Sequence, residues 1–271
     1  MDYSVLMTVY RADDPGFLRL SLESMLNQTV PSDDIVVVKD GPVPDALEQV
    51  IAQLRQANPG RIHPVQLPEN VGLGLALNAG LDACRHELVA RMDADDISLP
   101  QRCEKQLQLF AEDPQLDIVG CPVQEFSGDP SNIVGCRNVP LTHAEILRFA
   151  RRRDPFNHPT VMYRKRKVLQ YGPYDDYRKN QDTALWIKLL SSGCKGANCP
   201  EPLFLFRFDD KTYQRRKSWV NTKLLLQIRW DGYRRGFNSL WDFLVVAVGQ
   251  LGIFLMPVGL QQKVYQVFLR K

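Results

Sequence analysis

The sequence predicts an α/β fold, a mainly parallel sheet flanked by helices, with a helical extension at the carboxyl end. Three observations predict it. Short runs rich in Val, Ile and Leu alternate with amphipathic stretches from residue 3 to residue 121, the pattern of strands covered on both faces by helices. Polar and acidic residues follow several of these runs directly, where open parallel sheets bind ligands. Residues 207–271 then change character, with 12 Lys/Arg against 4 Asp/Glu in a chain whose net charge is +3.

Ser4–Val9 reads as a buried strand. Asp13, Asp14 and Pro15 form a helix-start signal, and Phe17, Leu18, Leu20, Leu22, Met25 and Leu26 recur at helical spacing. Ile35–Val38 is a second strand, ended by Lys39-Asp40-Gly41-Pro42. The next helix carries Leu47, Val50, Ile51 and Leu54 and stops at Asn58-Pro59-Gly60. A strand at Ile62–Leu67, a helix at Val71–Cys84, a strand at Glu87–Met92, a helix from Pro100 through Phe110 and a strand at Asp117–Cys121 follow. Residues 122–139 are expected to form turns and short strands. Thr142, with Glu145 three residues on, is a capping box for a helix to Arg152. His158–Tyr163 is expected to be a strand. Asn180-Gln181-Asp182 opens a helix ended at Gly193, and Leu203–Phe208 is the last strand.

With 44% hydrophobic and 24% charged residues, the chain has material for one sizeable core. Met1-Asp2-Tyr3 leads straight into an apolar strand, so no secretory signal is expected. The cysteines at 84, 103, 121, 136, 194 and 199 show no C-x-x-C spacing. Buried free thiols of a reducing compartment are expected rather than a zinc site. The basic tail argues for an anionic partner. No zinc-finger, RNA-recognition or helix-turn-helix signature accompanies it, so nucleic acid is not the expected one.

The most informative segment is Leu88–Met92 running into Asp93-Ala94-Asp95-Asp96. Three carboxylates this close repel, and a strand end disfavours Asp. A divalent cation with a diphosphate satisfies them. The alternative is a solvated acidic loop capping the following helix, and Asp96 fits either role. Thr8, Tyr10, Asp40 and Asp93–Asp96 all lie at or after strand carboxyl ends, on one expected rim.

Six pieces stand in order: Ser4–Tyr10; Val36-Val37-Val38-Lys39-Asp40-Gly41-Pro42; Glu69–Gly80; Ala90–Asp96; Phe156–Met162; and Gln181-Asp182 before Leu185-Trp186. Over about residues 3–206 they resemble the inverting glycosyltransferases of family two, with the Rossmann-like GT-A fold. The similarity is to the bacterial branch that builds exopolysaccharide, capsule or O-antigen units. The resemblance implies a catalytic domain at 1–206 and an extension at 207–271. It implies that Asp40 bonds the uracil of a nucleotide-sugar donor, with Thr8 and Tyr10 lining the base and ribose pocket. Asp93 would contact the ribose or the metal, Asp95 would hold Mn or Mg on the diphosphate, and Asp182 would be the general base. His158 is either a structural residue or a contact to the diphosphate or metal. Asp182 has a second reading as a helix N-cap, compatible with the first. Gly72 and Gly74 do not complete G-x-G-x-x-G and read as packing, and Asn78 is expected to position a neighbouring loop. Gln181 and Ala184 stand where the family often has acids, and Lys39 replaces an acid before Asp40.

The expected function is metal-dependent transfer of a hexosyl unit, from a UDP-sugar to a hydroxyl of a lipid-linked saccharide. A nucleotidyltransferase is the rival enzyme, but Tyr10–Asp14 is not its Gly-rich basic loop. The rival from another class is a non-catalytic nucleotide-sugar sensor or membrane scaffold. Residues 240–260 are long enough to span a bilayer, yet Asp242, Gln250 and Pro257 make a poor spanning helix. Two amphipathic helices broken at Met256-Pro257 are expected on an anionic membrane surface, inserting Trp241, Phe243, Phe254 and Phe268. The alternative is a helical lid or dimer interface. The corresponding location is cytoplasmic, on the inner face of the plasma membrane. Basic Arg215-Arg216-Lys217 would approach the donor diphosphate or the acceptor.

Overall fold

A computed structural model describes residues 1–208 and 219–255. In chain order the strands are β1 (Tyr3–Val9), β2 (Asp34–Lys39), β3 (Ile62–Gln66), β4 (Leu88–Met92), β5 (Ile97–Ser98), β6 (Leu116–Gly120), β7 (Val123–Phe126), β8 (Ile133–Arg137), β9 (Met162–Arg164), β10 (Lys195–Asn198) and β11 (Phe204–Arg207). The helices are α1 (Pro15–Leu26), α2 (Asp45–Ala57), α3 (Leu73–Ala83), α4 (Arg102–Glu112), α5 (His143–Ala150), α6 (Lys165–Tyr171), α7 (Gln181–Ser191), α8 (Trp219–Arg234) and α9 (Leu240–Leu255).

Seven strands form the main sheet in the order β10-β6-β9-β4-β1-β2-β3, and a smaller sheet runs β5-β11-β7-β8. β4, β1, β2 and β3 are mutually parallel, as are β6 and β10, while β9 runs antiparallel between β4 and β6. Side chains alternate along each strand, so each strand feeds two cores. Val5, Met7, Ile35, Val37, Ala90 and Met92 pack with α1, α2 and α4. Leu6, Val36, Val38 and Val89 pack on the other face with Leu77, Leu81, Leu185 and Trp186 of α3 and α7. Arg91 shares the parity of Val89, which places a cation on this second face.

Local chemistry sets the helix starts. Asp14 caps α1, its Oδ1 accepting from Gly16 N and Phe17 N, with Pro15 in the first turn. Thr142 and Glu145 form the expected capping box. Gly72 takes φ +92° before α3, and a Cβ on Gly74 would lie 2.8 Å from the Asp175 carbonyl oxygen. Gly74 therefore serves packing, whereas Gly72 is required by its backbone conformation. Asn78 clamps the loop after α6, donating to Tyr174 O (2.8 Å) and accepting from Tyr174 N (2.9 Å). All six cysteines are free thiols, and only Cys136 is partly exposed.

One strand differs from expectation. His158–Thr160 forms a 3₁₀ turn and pairing starts at Met162; Pro159 has no N–H to give to a ladder. The carboxyl-terminal helices also clarify two alternatives. α8 packs on α7 through Ile228 against Ala184 and Ile187, with Leu224 and Phe237 beside them. Buried Arg229 donates to Ala150 O at 2.6 Å, and Arg152 pairs with Asp242 of α9 at 2.6 Å. α8 is thus docked on the body. α9 leaves Trp241, Val248 and Leu255 exposed, at 67%, 72% and 78%. No helix among the described residues is long and apolar enough to cross a membrane. The expected break at Met256-Pro257, the insertion of Phe268 and the basic Arg215-Arg216-Lys217 lie outside the described residues.

Candidate active site

The carboxyl ends of β4, β1 and β2 lie side by side. Thr8 pairs with Val38 and Met7 with Met92, so Thr8, Tyr10, Asp40 and Asp93 share one rim. β2 and β3 lie to one side of β1 and β4 to the other, making this the switch point where α/β sheets bind ligands.

Asp93, Asp95 and Asp96 each bring a carboxylate oxygen within 4.8 Å of the others. Asp96 is buried; its Oδ1 accepts from Arg207 N at 2.7 Å, and its Oδ2 is buried without a hydrogen-bond partner. Asp96 does not cap the next helix, whose N-cap is Gln101. Burial raises its proton affinity well above that of an ordinary carboxyl, and repulsion from Asp95 and Asp93 adds to this. Asp95 keeps an exposed face, and partial desolvation of its carboxyl, then repulsion from Asp93, pushes it up to about 6. A fourth acid, Asp13 in the loop after β1, rises to about 7 through burial and repulsion from Asp95 and Asp93. It accepts from Tyr10 N at 2.9 Å. An orphaned buried oxygen and clustered carboxylates that resist ionisation fit a hard divalent cation.

Asp182 lies in the first turn of α7. The N-cap is Asn180, in a left-handed conformation at φ 55° and making no side-chain cap bond. The capping reading of Asp182 is corrected accordingly, since the helix starts two residues earlier than that reading requires. Its Oδ1 accepts from Thr183 N at 2.9 Å. Burial, then repulsion from Asp154, pushes it up to about 6 against the pull of Arg91. Arg91 is 1% exposed and ion-paired with Asp93; its Nε and Nη1 have no hydrogen-bond partner. Its charge also acts on Tyr174 and His158. A single buried guanidinium therefore links the acidic rim to Asp182.

Two expected site residues have other contacts. His158 is not in the acidic group; its Nε2 meets Tyr174 Oη at 2.9 Å and its ring packs on Trp186. Burial, then Arg91, depresses its pKa well below normal, leaving a neutral imidazole. Asp40 is buried and braces the loop before α3, accepting from Val71 N (2.7 Å), Asn70 Nδ2 (2.8 Å) and Gly72 N (3.0 Å). About one of its acceptor directions remains. Lys39 is turned to Glu48 of α2 at 2.7 Å.

A family model described as Glycosyl transferase family 2 matches residues 4–172. The chain belongs to this family. As a family-two glycosyltransferase it has relatives along its whole length. The amylovoran biosynthesis glycosyltransferase AmsE of Erwinia amylovora is 38% identical over 271 residues, covering 97% of this chain and 98% of the relative. The UDP-Gal:alpha-D-GlcNAc-diphosphoundecaprenol beta-1,3-galactosyltransferase of Escherichia coli is 33% identical over 269 residues, covering 99% and 97%. Among solved structures, a mannosyltransferase of Pyrobaculum calidifontis in complex with GDP-Man and Mn2+ has a TM-score of 0.67 at 16% identity, covering 97% of this chain and 79% of that one. The fold is that of GT-A glycosyltransferases.

Sequence reasoning passed over four residues of this candidate site. Asp13 follows β1 as Asp93 follows β4, so the strand-end rule could have found it. Arg91 was legible as a charge inside an apolar strand. Arg207 and Asp154 carry no local signal, because their partners Asp96 and Thr183 are distant in sequence.

Proposed function

We propose that this glycosyltransferase moves one hexosyl unit, with inversion, from a UDP-sugar onto a hydroxyl of a lipid-linked saccharide during surface-polysaccharide synthesis. The observation that supports the reading is the clustering of the Asp93, Asp95 and Asp96 carboxylates at the strand-end rim, with buried Arg91 paired to Asp93 and its charge also felt by Asp182. Thr8 and Tyr10 line the base and ribose pocket, and the remaining lone pair of Asp40 takes the uracil N–H. Asp95, with Asp93 and Asp96 beside it, holds Mn or Mg. Such an ion supplies neutralising charge to the leaving diphosphate. Asp182 accepts the proton of the attacking hydroxyl. A single displacement needs no enzyme nucleophile, whereas a retaining route would ask for one. His158, neutral and bonded to Tyr174, supports the wall behind Asp182.

The name of the Escherichia coli relative states a UDP-sugar donor and a diphosphoundecaprenol-linked acceptor, which supports both substrate classes here. We read residues 1–206 as the catalytic unit and 207–271 as an extension whose helix α8 is docked on it. Its exposed α9 face supports peripheral attachment to an anionic membrane on the cytoplasmic side. The test is UDP release from a panel of UDP-sugars with Mn2+, with and without lipid-linked acceptors. Metal-dependent release stimulated by acceptor is expected. Tight UDP-sugar binding without turnover on any acceptor would favour the sensor instead.

A further inference from the structure

The groove between β8 and α5 lies apart from the acidic rim. It holds about 600 Å³, within the range of small-molecule sites. Three guanidinium groups line it, those of Arg137, Arg148 and Arg153, against one carboxylate, Glu145. Glu145 is committed to the helix cap, accepting from Thr142 N at 3.0 Å and Leu141 N at 3.2 Å. Arg137 donates Nη2 to Glu125 at 2.7 Å and lies over the Phe206 ring at 4.4 Å, and its Nε has no hydrogen-bond partner. Arg153 lies over Phe149 at 5.0 Å. Leu141 and Phe149 give the groove an apolar lining. Forked cations over aromatic rings suit a phosphate, which guanidinium binds in bidentate fashion.

Two short links tie this groove to the reaction centre. Phe206, under Arg137, is followed by Arg207, which donates to Asp96 Oδ1 (2.7 Å) and Asp95 O (2.8 Å). Arg153 is followed by Asp154, whose Oδ2 accepts from Thr183 Oγ1 at 3.0 Å beside Asp182. β8 lies three strands from β5, about 14 Å at ordinary strand spacing. The groove is thus displaced from the acidic rim by a short span, with Asp182 toward its Arg153 end.

We infer that this groove receives the diphosphate of the acceptor, with Arg148 and Arg153 as the fork that grips it. The inference rests on the proposed transfer to a lipid-linked saccharide. The donor's diphosphate belongs at the acidic rim, so a second anion site displaced past the base fits the acceptor's. Phosphate diesters also occur on phospholipid headgroups, and the experiment separates the two sources.

Two probes are compared on full-length protein saturated with UDP and Mn2+: the decyl diphosphate ester of N-acetylglucosamine and the neutral decyl N-acetylglucosaminide. Wild type is expected to prefer the diphosphate by about ten- to a hundredfold, less so as salt rises. The double variant Arg148→Gln with Arg153→Gln should lose that preference. Both side chains are exposed, so its thermal midpoint and UDP–Mn titration should match wild type. Arg137 is left intact because its partner Glu125 is buried. Adhesion to phosphatidylglycerol vesicles should be unchanged in the variant. A preference that survives in the variant, or is absent from wild type, overturns the assignment. Loss of vesicle adhesion with the preference intact gives the arginines to headgroups and also overturns it. Absence of Mn-dependent UDP binding in wild type would instead break the donor-site reading, and the diphosphate preference can be measured without it.

Discussion

Arg229 of α8 donates to the carboxylate of Asp154 at 3.3 Å. The same carboxylate accepts from Thr183 Oγ1 at 3.0 Å, and Thr183 N donates to Asp182 Oδ1 at 2.9 Å. Arg229 is 3% exposed and anchored on Ala150 O. A cation from the carboxyl-terminal extension therefore balances the like charge that stands next to the proposed base. The extension reaches into the site as well as covering the body.

This arrangement fixes a pH dependence. Asp182 works as a base only when ionised, and burial with Asp154 repulsion places its pKa at about 6. The rate should rise with pH through about 6 and fall away below it. The charges facing Asp182 are Asp154, Arg91 and Arg229, with Tyr174 also close. Asp154→Asn removes repulsion, so the acid limb of kcat/KM should move to lower pH. Arg229→Met leaves Asp154 uncompensated, so the limb should move to higher pH. Identical profiles for both variants and wild type would dissociate the pair from the base.

Asp182→Asn keeps the size and the bond from Thr183 N but cannot take a proton. Transfer should fall by about two to four orders of magnitude, with UDP affinity in Mn2+ within a few-fold of wild type. Calorimetric titration alongside the assay decides. A matching loss of UDP affinity would move Asp182 from proton transfer to donor binding.

β1 to β4 and their helices were legible because each apolar run is long enough to show its period. β5, two residues long, and β10, Lys-Gly-Ala-Asn, have no β-branched pattern to detect. His158 looked like a strand residue because its neighbours are apolar, whereas Pro159 decides the turn. The acids after β4 were legible as a cluster. The role of Asp96 was not, because Arg207, 111 residues on, supplies its bond. Asp40 was legible as a rim residue, but its three internal donors come from another loop.

Asp95→Ala should abolish the Mn2+ dependence of UDP binding and leave the fold intact. Asp95 is exposed, so the stability change should stay within about 0.5 kcal/mol. Removal of metal from wild type with EDTA should reproduce the binding loss. A variant whose UDP titration still responds to Mn2+ like wild type would rule out Asp95 as a ligand.

The α9 face can be tested without deleting the helix. Trp241 and Val248 are exposed, so Trp241→Glu with Val248→Glu should leave the thermal midpoint unchanged. Affinity for anionic vesicles should drop by at least about tenfold, given the apolar burial each side chain offers. Co-sedimentation equal to wild type would mean that another surface, or none, meets the membrane.

The buried pair of Arg91 and Asp93 links folding to the site. Arg91→Met replaces the cation with an apolar side chain of similar length and leaves Asp93 unpaired beside Asp95 and Asp96. Loss of one partner of a buried pair is costly, but Asp93 keeps 28% side-chain exposure, so about 2–4 kcal/mol is expected. In a chain of this size that is a fall of roughly 5–15 °C in Tm. Adding Asp93→Asn removes the stranded charge and should restore most of the stability, since apolar replacement of a whole buried pair is often neutral. If the double variant is no more stable than Arg91→Met alone, the cost lies in the packing of the buried side chain rather than in the pair.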